Sequence, residues 1–238
     1  MMFHPLIQKI SNFTQLDDGE RRVLHEVLSE RVRVFDPRHV LLQEGMSPQH
    51  VYVLIDGWAY RYKILPDGRR QITSFLLPGD LCDSHMFVLA AMDHSIAALS
   101  SVTVSEVGRE SFVDLTTRSP KLARALWWDT LVSTSIQREW TVNIGRRDAT
   151  ERMAHLIVEI MLRLQSVGRA GNGAFSFPVT QGELADALGI TTVHANRTLQ
   201  SLRAAGLILL EKRHLTVLDL SRLKQIAMFN QRYLHLDE

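Results

Sequence analysis

The chain has 238 residues, of which 45% are apolar and 22% are charged, the composition of an ordinary globular protein long enough for two domains. Its single cysteine excludes an intrachain disulfide and a thiolate-ligated iron–sulfur cluster, and no apolar run is long enough to span a bilayer. The first residues lack the pattern of a secretory signal, so we expect a cytoplasmic protein without membrane contact. We also expect no cofactor. The net charge is +1, but the part from residue 146 onwards carries 12 Lys/Arg against 9 Asp/Glu, a balance that suits a polyanionic partner.

The N-terminal part, residues 1–117, predicts a small all-β unit behind a short amphipathic start. Glycines 45, 57, 68 and 79 are spaced by 12, 11 and 11 residues and separate short β-branched runs. Such regular spacing is typical of a sandwich, barrel or roll, and we expect a β-roll similar to a jelly roll. The Asp67-Gly68 pair predicts a hairpin turn. The predicted strands are Val32–Phe35, Val40–Leu42, Val51–Ile55, Ala59–Ile64, Gln71–Leu76, Ile96–Leu99 and Val102–Val107.

Residues 118–145 predict one long helix, which we expect Gly145 to end. A mostly apolar stripe recurs along it at steps of three and four residues. That stripe must be buried, either within one chain or against a second copy of the helix. We favour a homodimer, because the stripe is long and the helix carries three tryptophans, a residue type enriched at interfaces. The stripe comprises Leu122, Leu126 or Ala125, Asp129, Val132, Ile136, Trp140, and Asn143 or Ile144.

The C-terminal part, residues 146–238, predicts a helix-turn-helix. Asp148 with Glu151, and Thr180 with Glu183, have the spacing of capping boxes that begin helices. Gly189 is suited to end the second of these helices in a left-handed conformation, and Thr191 can cap the next one. Two short helices joined by such a tight turn are typical of DNA-binding domains. The protein is therefore expected to be α+β, with a β-roll, a central dimerisation helix and a C-terminal winged helix-turn-helix.

The second helix of this motif carries side chains that can read base edges in the major groove. Arginine pairs with guanine, Asn and Gln pair with adenine, and Thr or Val contacts the thymine methyl group. The two strand-like runs after Gly206 flank a basic turn and predict a β-hairpin wing that contacts the DNA backbone. The expected base readers are Thr192, Val193, His194, Asn196, Arg197 and Gln200. The expected phosphate contacts are Thr180, Gln181 and Thr191 at helix N-termini, with Lys212 and Arg213 on the wing.

Over nearly its whole length, the chain resembles the Crp/Fnr family of bacterial regulators. The resemblance rests on the spaced glycines, the Pro78-Gly79-Asp80-Leu81 segment, the long helix and the stretch Val179–Leu210. It implies a cyclic-nucleotide-binding-like β-roll, a dimer that binds double-stranded DNA, contact with RNA polymerase, and control by an effector. The expected function is that of a sequence-specific transcription regulator, not an enzyme, which acts as a homodimer on a two-fold operator.

The sequence departs from the members that bind cyclic AMP. Gly79-Asp80 can stand for the pair that holds the ribose, but the place of the phosphate-binding Arg falls near Met92–Ser95, where Asp93 has the wrong charge. We therefore predict no tight cyclic nucleotide binding and an unidentified small-molecule effector. The resemblance places the effector pocket near Gly79, Asp80, Leu81 and Cys82, and Arg138 of the long helix is a further candidate for binding the effector. A surface position for Arg138 is the alternative.

Other chemistry is weakly supported. Asp83-Ser84-His85 suggests a hydrolase, but adjacent side chains rarely converge as a catalytic triad, and we expect no catalytic residue. His85, His94 and Cys82 have no metal-ligand spacing, so we expect no metal site. Cys82 is expected to be a buried thiol instead of a redox sensor. The remaining alternative is a cyclic-nucleotide-type sensing module that acts on a protein partner and has a degenerate helix-turn-helix.

Overall fold

The computed structural model describes residues 4–83 and 90–236, which divide into two compact units. The first unit contains residues 4–63, the described part of 74–133, and residue 236. The second contains residues 134–235 together with residues 64–73, which lie far from them in sequence. The boundary between the units therefore falls inside the long central helix and near the tip of one hairpin.

The first unit combines a two-sheet roll with three short helices. The helices are α1 (Pro5–Ser11), α2 (Asp18–Ser29) and α3 (Arg109–Arg118). The strands that enter the two sheets are β1 (Val32–Phe35), β2 (Val40–Leu42), β3 (His50–Asp56), β4 (Ala59–Ile64), β5 (Arg70–Leu76), β6 (Leu81–Cys82), β7 (Ser95–Ala98) and β8 (Val102–Gly108). All seven predicted strands are confirmed to within one residue at each end, and the short β6 was not predicted.

The strands form two four-stranded sheets in the orders β1-β8-β3-β6 and β2-β7-β4-β5. Residues of both sheets and of the helices share one hydrophobic core, which includes Phe35, Val53, Ile96 and Leu122. The pairing is antiparallel wherever a register is resolved, as between β3 and β8 and between β4 and β7. The predicted Asp67-Gly68 turn joins β4 to β5, and Gly68 has a φ of 87°, a conformation that glycine adopts without strain. The roll predicted from the spaced turns is therefore confirmed.

The central helix α4 spans Pro120–Arg146, so Gly145 lies inside its last turn instead of ending it. The stripe that we assigned to a dimer interface is buried within the chain itself, and that assignment was wrong. Leu122, Ala125 and Leu126 belong to the core of the first unit. The buried members of the stripe are Leu122, Ala125, Leu126, Asp129, Val132, Ile136, Trp140 and Asn143.

The polar members of the buried stripe have partners in the chain. The Asp129 carboxylate lies 2.5 Å from the Lys9 ammonium of α1, and Trp140 donates its indole N–H to Glu159 at 3.0 Å. Because an unpaired buried charge is costly, these partners explain how a charged side chain can occupy an inward-facing position. The helix needs no second copy to cover this face.

A different stripe of α4 is exposed. Trp127 and Leu131 retain 76% and 64% of their accessible surface, which is unusual for such large apolar side chains. Exposed residues continue from them at alternating steps of three and four, the spacing of a coiled-coil seam. The whole stripe is Arg124, Trp127, Leu131, Thr134, Arg138, Thr141 and Gly145, and we call it the outer stripe of α4.

The second unit contains the C-terminal helices and a small sheet. Its helices are α5 (Ala149–Ser166), α6 (Gln181–Leu188), α7 (Thr192–Ala204) and α8 (Leu220–Ile226), followed by a 3-10 helix over Gln231–Leu234. The strands β9 (Ala174–Ser176), β10 (Ile208–Glu211) and β11 (His214–Val217) pair in the order β10-β11-β9. The Asp148–Glu151 capping box predicted at the start of α5 is present.

A buried polar cluster joins the end of α4, the middle of α5 and the C-terminal segment. The Glu159 carboxylate is fully buried and accepts hydrogen bonds from Trp140 Nε1 and from the Tyr233 hydroxyl at 2.9 Å. Arg163 Nη1 also donates to it, at 3.3 Å. Burial raises the pKa of Glu159, an effect that Arg163 and the two hydrogen bonds oppose. The cluster fixes the chain after α8 against the two long helices.

Candidate nucleic-acid interface

Helices α6 and α7 form the predicted helix-turn-helix, and their ends are capped as the sequence indicates. Thr180 Oγ1 accepts a hydrogen bond from the Glu183 N–H, and Glu183 Oε2 accepts one from the Thr180 N–H, which completes a capping box. Gly189 ends α6 in the left-handed conformation, with a φ of 65°. Thr191 Oγ1 then accepts a hydrogen bond from the His194 N–H at 3.2 Å and begins α7.

Helix α7 turns one apolar face towards the interior of the second unit and exposes the other face to solvent. Ala195, Leu199 and Leu202 are buried, as expected from their spacing. Val193 keeps 73% of its surface, a large exposed fraction for an aliphatic side chain. The exposed residues of the predicted reading face are Thr192, Val193, His194, Arg197 and Gln200, and Asn196 is half-buried.

Arg197 lies at the middle of this open face. Over the described parts of the chain, no side chain or carbonyl group pairs with its guanidinium, whereas Gln200 Oε1 accepts a hydrogen bond from Arg203 Nη1 at 3.2 Å. The Asn196 side-chain oxygen is buried and has no hydrogen-bond partner within residues 4–83 and 90–236. A guanidinium held at the surface on a rigid helix can donate two hydrogen bonds to guanine, the commonest specific contact in the major groove.

An open depression of about 490 Å³ follows the same face and extends one turn beyond the predicted readers. Ser201 and Ala204 line it together with Val193, Asn196, Arg197 and Gln200. These two residues were not among the predicted readers, which extend only as far as Gln200. The signal was present in the spacing, since positions 193, 197, 201 and 204 recur at steps of four and three.

The wing is a tight hairpin formed by β10 and β11. Glu211 pairs with His214, so Lys212 and Arg213 alone form the turn. Both turn residues have positive φ values, 45° and 65°, as the favoured two-residue hairpin turn requires. Their side chains are exposed, so the wing carries two cations at its tip.

The predicted phosphate contacts lie at the two helix N-termini. Thr180 and Gln181 are exposed at the start of α6, and Thr191 is exposed at the start of α7. The first N–H groups of a helix and its dipole favour a bound anion. The unit therefore brings together on one C-terminal body all eleven residues predicted to contact DNA.

The predicted effector residues are placed differently. Leu81 and Cys82 are buried in the core of the roll, and burial raises the pKa of the Cys82 thiol. The Asp80 carboxylate accepts hydrogen bonds from Lys9 at 2.6 Å and from the Leu77 N–H at 2.8 Å. Gly79 is buried beside it, with its N–H bonded to the Leu54 carbonyl. Arg138 is exposed on the outer stripe of α4.

Lys9 is a functional candidate that sequence reasoning missed. Its ammonium lies between the carboxylates of Asp80 and Asp129. Burial by itself would lower the pKa of Lys9, but the two carboxylates outweigh it and raise the pKa, so the lysine stays charged. The Asp80 carboxylate is therefore already paired with a cation of the chain itself.

A second cation missed from the sequence lies near the place where a cyclic phosphate would bind. Arg61 of β4 pairs in register with Ile96 and donates its Nε–H to His94 Nε2 at 3.0 Å. The other ring nitrogen of His94 lies 2.6 Å from Asp93. Burial and the Arg61 charge lower the pKa of His94. Ser84 and His85, which we considered for hydrolase or metal chemistry, lie outside the described residues.

A β-roll, a long central helix and a helix-turn-helix with an open reading face beside a basic wing define the class of winged-helix DNA-binding regulators. Two family models match the chain. Residues 32–119 match the cyclic nucleotide-binding domain, and residues 151–226 match the Crp-like helix-turn-helix domain. The match of the second model covers α6, α7 and the wing.

Characterised relatives support the same assignment. The transcriptional activatory protein AadR of Rhodopseudomonas palustris is 31% identical over 85% of this chain and 83% of its own length. The transcriptional activator protein FnrL of Cereibacter sphaeroides is 30% identical over 89% of this chain and 85% of its own. The structure of FixK2 from Bradyrhizobium japonicum superposes with a TM-score of 0.73 at 26% identity, covering 82% and 96% of the two chains.

The chain belongs to the Crp/Fnr family of transcription regulators, with a DNA-binding helix-turn-helix domain and a cyclic-nucleotide-binding-like domain. Regulators of this family typically act as dimers. Within the described residues, no helix combines the length and the apolar character needed to cross a membrane.

Proposed function

We propose that this protein is a cytoplasmic, sequence-specific transcription regulator that binds a two-fold operator as a homodimer. The observation that carries the proposal is the open face of α7, where Arg197 is exposed and has no partner among the described residues. A side chain kept free at the centre of a rigid reading helix is suited to a bidentate base contact. The two exposed cations of the wing tip suit the DNA backbone.

The proposed dimer forms through the outer stripe of α4, not through the stripe first assigned. Its spacing of three and four residues over three heptads suits a two-stranded coiled coil with a second copy. Trp127 and Leu131 would supply the apolar centre of the seam, since both expose most of their surface in the single chain. Two copies related by two-fold symmetry would present two reading helices, as a two-fold operator requires.

The β-roll is proposed to respond to a small-molecule effector and the dimer to contact RNA polymerase. The family match of residues 32–119 and the relatives named as activators support these roles. We still predict that cyclic nucleotides do not bind tightly, because the Arg61 Nε–H already donates to His94. Isothermal titration with cyclic AMP tests it, and micromolar affinity would contradict it.

DNA reading is tested by selecting bound sites from random duplexes and then measuring affinity by fluorescence anisotropy at several salt concentrations. Arg197→Ala should lose about 1–3 kcal/mol per half-site on the selected sequence and relax the preference at one base pair. The matched control is Arg222→Ala, which removes an exposed arginine from α8. An equal loss on all sequences would make Arg197 a phosphate contact. No salt-dependent binding by the wild type would refute the regulator assignment in favour of a sensing module for a protein partner.

The dimer is tested by sedimentation equilibrium. Leu131→Glu should shift the protein towards the monomer, because each dimer loses two buried leucines worth about 1.5–3 kcal/mol each and gains two desolvated charges. Val113→Glu is the matched control, since Val113 is a similarly exposed aliphatic residue on α3. A dimer constant unchanged by Leu131→Glu would exclude the outer stripe as the interface.

A further inference from the structure

Val193 lies in the first turn of α7 and exposes most of its side chain. Thr191 caps the helix and Thr192 begins it, so Val193 lies at the end that enters the major groove in a helix-turn-helix. Val193 keeps 73% of its surface, and among the large apolar side chains in the described parts of the chain only Trp127 keeps more. A lone exposed valine on an ordinary surface needs no explanation, so its neighbours on the helix decide what it can do.

Val193 shares one line of α7 with Arg197. Residues four positions apart lie on the same side of a helix, with about 5–6 Å between their Cβ atoms. Both side chains line the open depression of the reading face. Thr192 does not line it, and Asn196, four positions after Thr192, is half-buried. Val193 is therefore the aliphatic side chain next to the exposed guanidinium.

The two methyl groups of Val193 are held in place before DNA binds. Branching at Cβ leaves valine one strongly preferred χ1 rotamer in a helix, so a contact costs it little side-chain freedom. The helix beneath it is anchored, because Ala195 and Leu199 are buried in the second unit. The Thr191 hydroxyl, which accepts from the His194 N–H at 3.2 Å, fixes the first turn. Val193 therefore presents a preformed apolar surface to the groove.

The chemistry of an aliphatic side chain limits what it can recognise. Valine neither donates nor accepts a hydrogen bond, so beside an amino group or a ring nitrogen it displaces water without replacing the lost hydrogen bond. The thymine methyl is the apolar group that the standard base pairs present in the major groove. The modified base 5-methylcytosine carries a methyl group on the same C5 atom of its pyrimidine ring. Both bases therefore offer Val193 the same contact, whereas cytosine does not.

Arg197 places this contact beside a guanine. Four helical residues advance about 6 Å along the helix axis, which is about two base steps of about 3.4 Å each. When Arg197 is paired with guanine, Val193 therefore reaches a pyrimidine in a neighbouring base pair. The pair of side chains reads a guanine and a C5 methyl group together.

We propose that Val193 reads the C5 methyl group of a pyrimidine beside that guanine, so that the reading face recognises 5-methylcytosine as well as thymine. This rests on the proposed function of the chain as a DNA-binding regulator. Wherever an operator carries cytosine at the Val193 position, methylation of that cytosine strengthens binding. Cytosine methylation is then a signal that the helix-turn-helix reads directly.

The test uses the full-length protein and an operator selected from random duplexes, with affinity measured by fluorescence anisotropy at constant salt. Each thymine of the half-site is replaced in turn by deoxyuridine, in both half-sites, which removes only the methyl group. At the most sensitive position, duplexes with cytosine and with 5-methylcytosine are then compared. Val193→Ser replaces the two methyl groups with a hydroxyl. Val142→Ser is the matched control, since Val142 is an exposed valine of α4.

Deoxyuridine at one thymine beside the guanine should weaken binding about fourfold per half-site, because burial of one methyl group is worth about 0.8 kcal/mol. At that position, 5-methylcytosine should bind about fourfold more tightly than cytosine. Both differences should disappear in Val193→Ser and persist in Val142→Ser. Indifference of the wild type to every deoxyuridine replacement would rule the proposal out while leaving the regulator assignment intact, as would a methyl preference that survives in Val193→Ser. If the wild type selected no duplex at all, the proposed function itself would fail.

Discussion

Acidification should destabilise the second unit through one buried histidine. His155 of α5 is fully buried, and its ring packs against Phe229 and Tyr233 with centroid distances of 4.9 and 5.8 Å. Burial, with a smaller contribution from the nearby Arg147 charge, lowers its pKa from 6.5 to about 3. The Glu139 carboxylate lies 3.3 Å from Nε2 but does not offset these effects. The folded state therefore requires the neutral ring.

The sign and size of the effect follow from this pKa. A histidine whose pKa is lowered by folding contributes stability that is present above 6.5 and is lost as the pH falls towards about 3. Between pH 7 and pH 5 the unfolded chain gains a proton that the folded chain does not, which costs about 2 kcal/mol in free energy of unfolding. Glu159 acts in the opposite sense, because its raised pKa favours the folded state as it becomes protonated.

Comparing a variant with the wild type cancels the contribution of Glu159 and of other carboxylates. Urea unfolding is measured at pH 7 and pH 5 for the wild type, His155→Leu and the exposed control His214→Gln. The wild type and the control should lose about 2 kcal/mol more than His155→Leu over this range. An equal loss in His155→Leu would refute the reasoning, since it would mean that the ring is protonated in the folded protein.

Two further predictions concern the backbone and the thiol. Gly189→Ala should lower the free energy of unfolding by about 1–2 kcal/mol, because the φ of 65° at this position is strained for alanine. The control Gly182→Ala, at a position with ordinary helical conformation, should cost nothing. Thermal unfolding measures both variants, and equal midpoints would contradict this prediction. Cys82 should resist a thiol-specific reagent in the native protein and react fully in denaturant, because burial keeps it protonated, and fast native labelling would restore the redox-sensor alternative.

The sequence predicts the features that local rules determine. The strands of the roll follow from β-branched runs between turn glycines, and the caps at Thr180 and Thr191 follow from side chains that can bond helix N–H groups. The left-handed turn at Gly189 follows from the conformational freedom of glycine. Each of these depends on a few neighbouring residues, so one sequence is enough to recognise it.

Contacts between distant segments could not be predicted in this way. Lys9 reaches Asp80 and Asp129 across 71 and 120 positions of sequence, and no local pattern identifies it as their partner. Arg61 comes beside His94 only because β4 pairs with β7. Both cations lie near residues considered for effector binding, so the electrostatics of that region depend on topology instead of motif.

The central helix shows why periodicity alone can assign a dimer interface to the wrong residues. The buried stripe through Trp140 and the outer stripe through Trp127 both repeat at about 3.5 residues, so periodicity cannot distinguish packing within the chain from packing against a second copy. The two stripes differ in the contacts that their own chain supplies. The inward Asp129 and Trp140 have polar partners in their own chain, while the outward Trp127 and Leu131 expose most of their surface. A helix that must serve two interfaces carries two seams, and only the one left uncovered by its own chain is available to a partner.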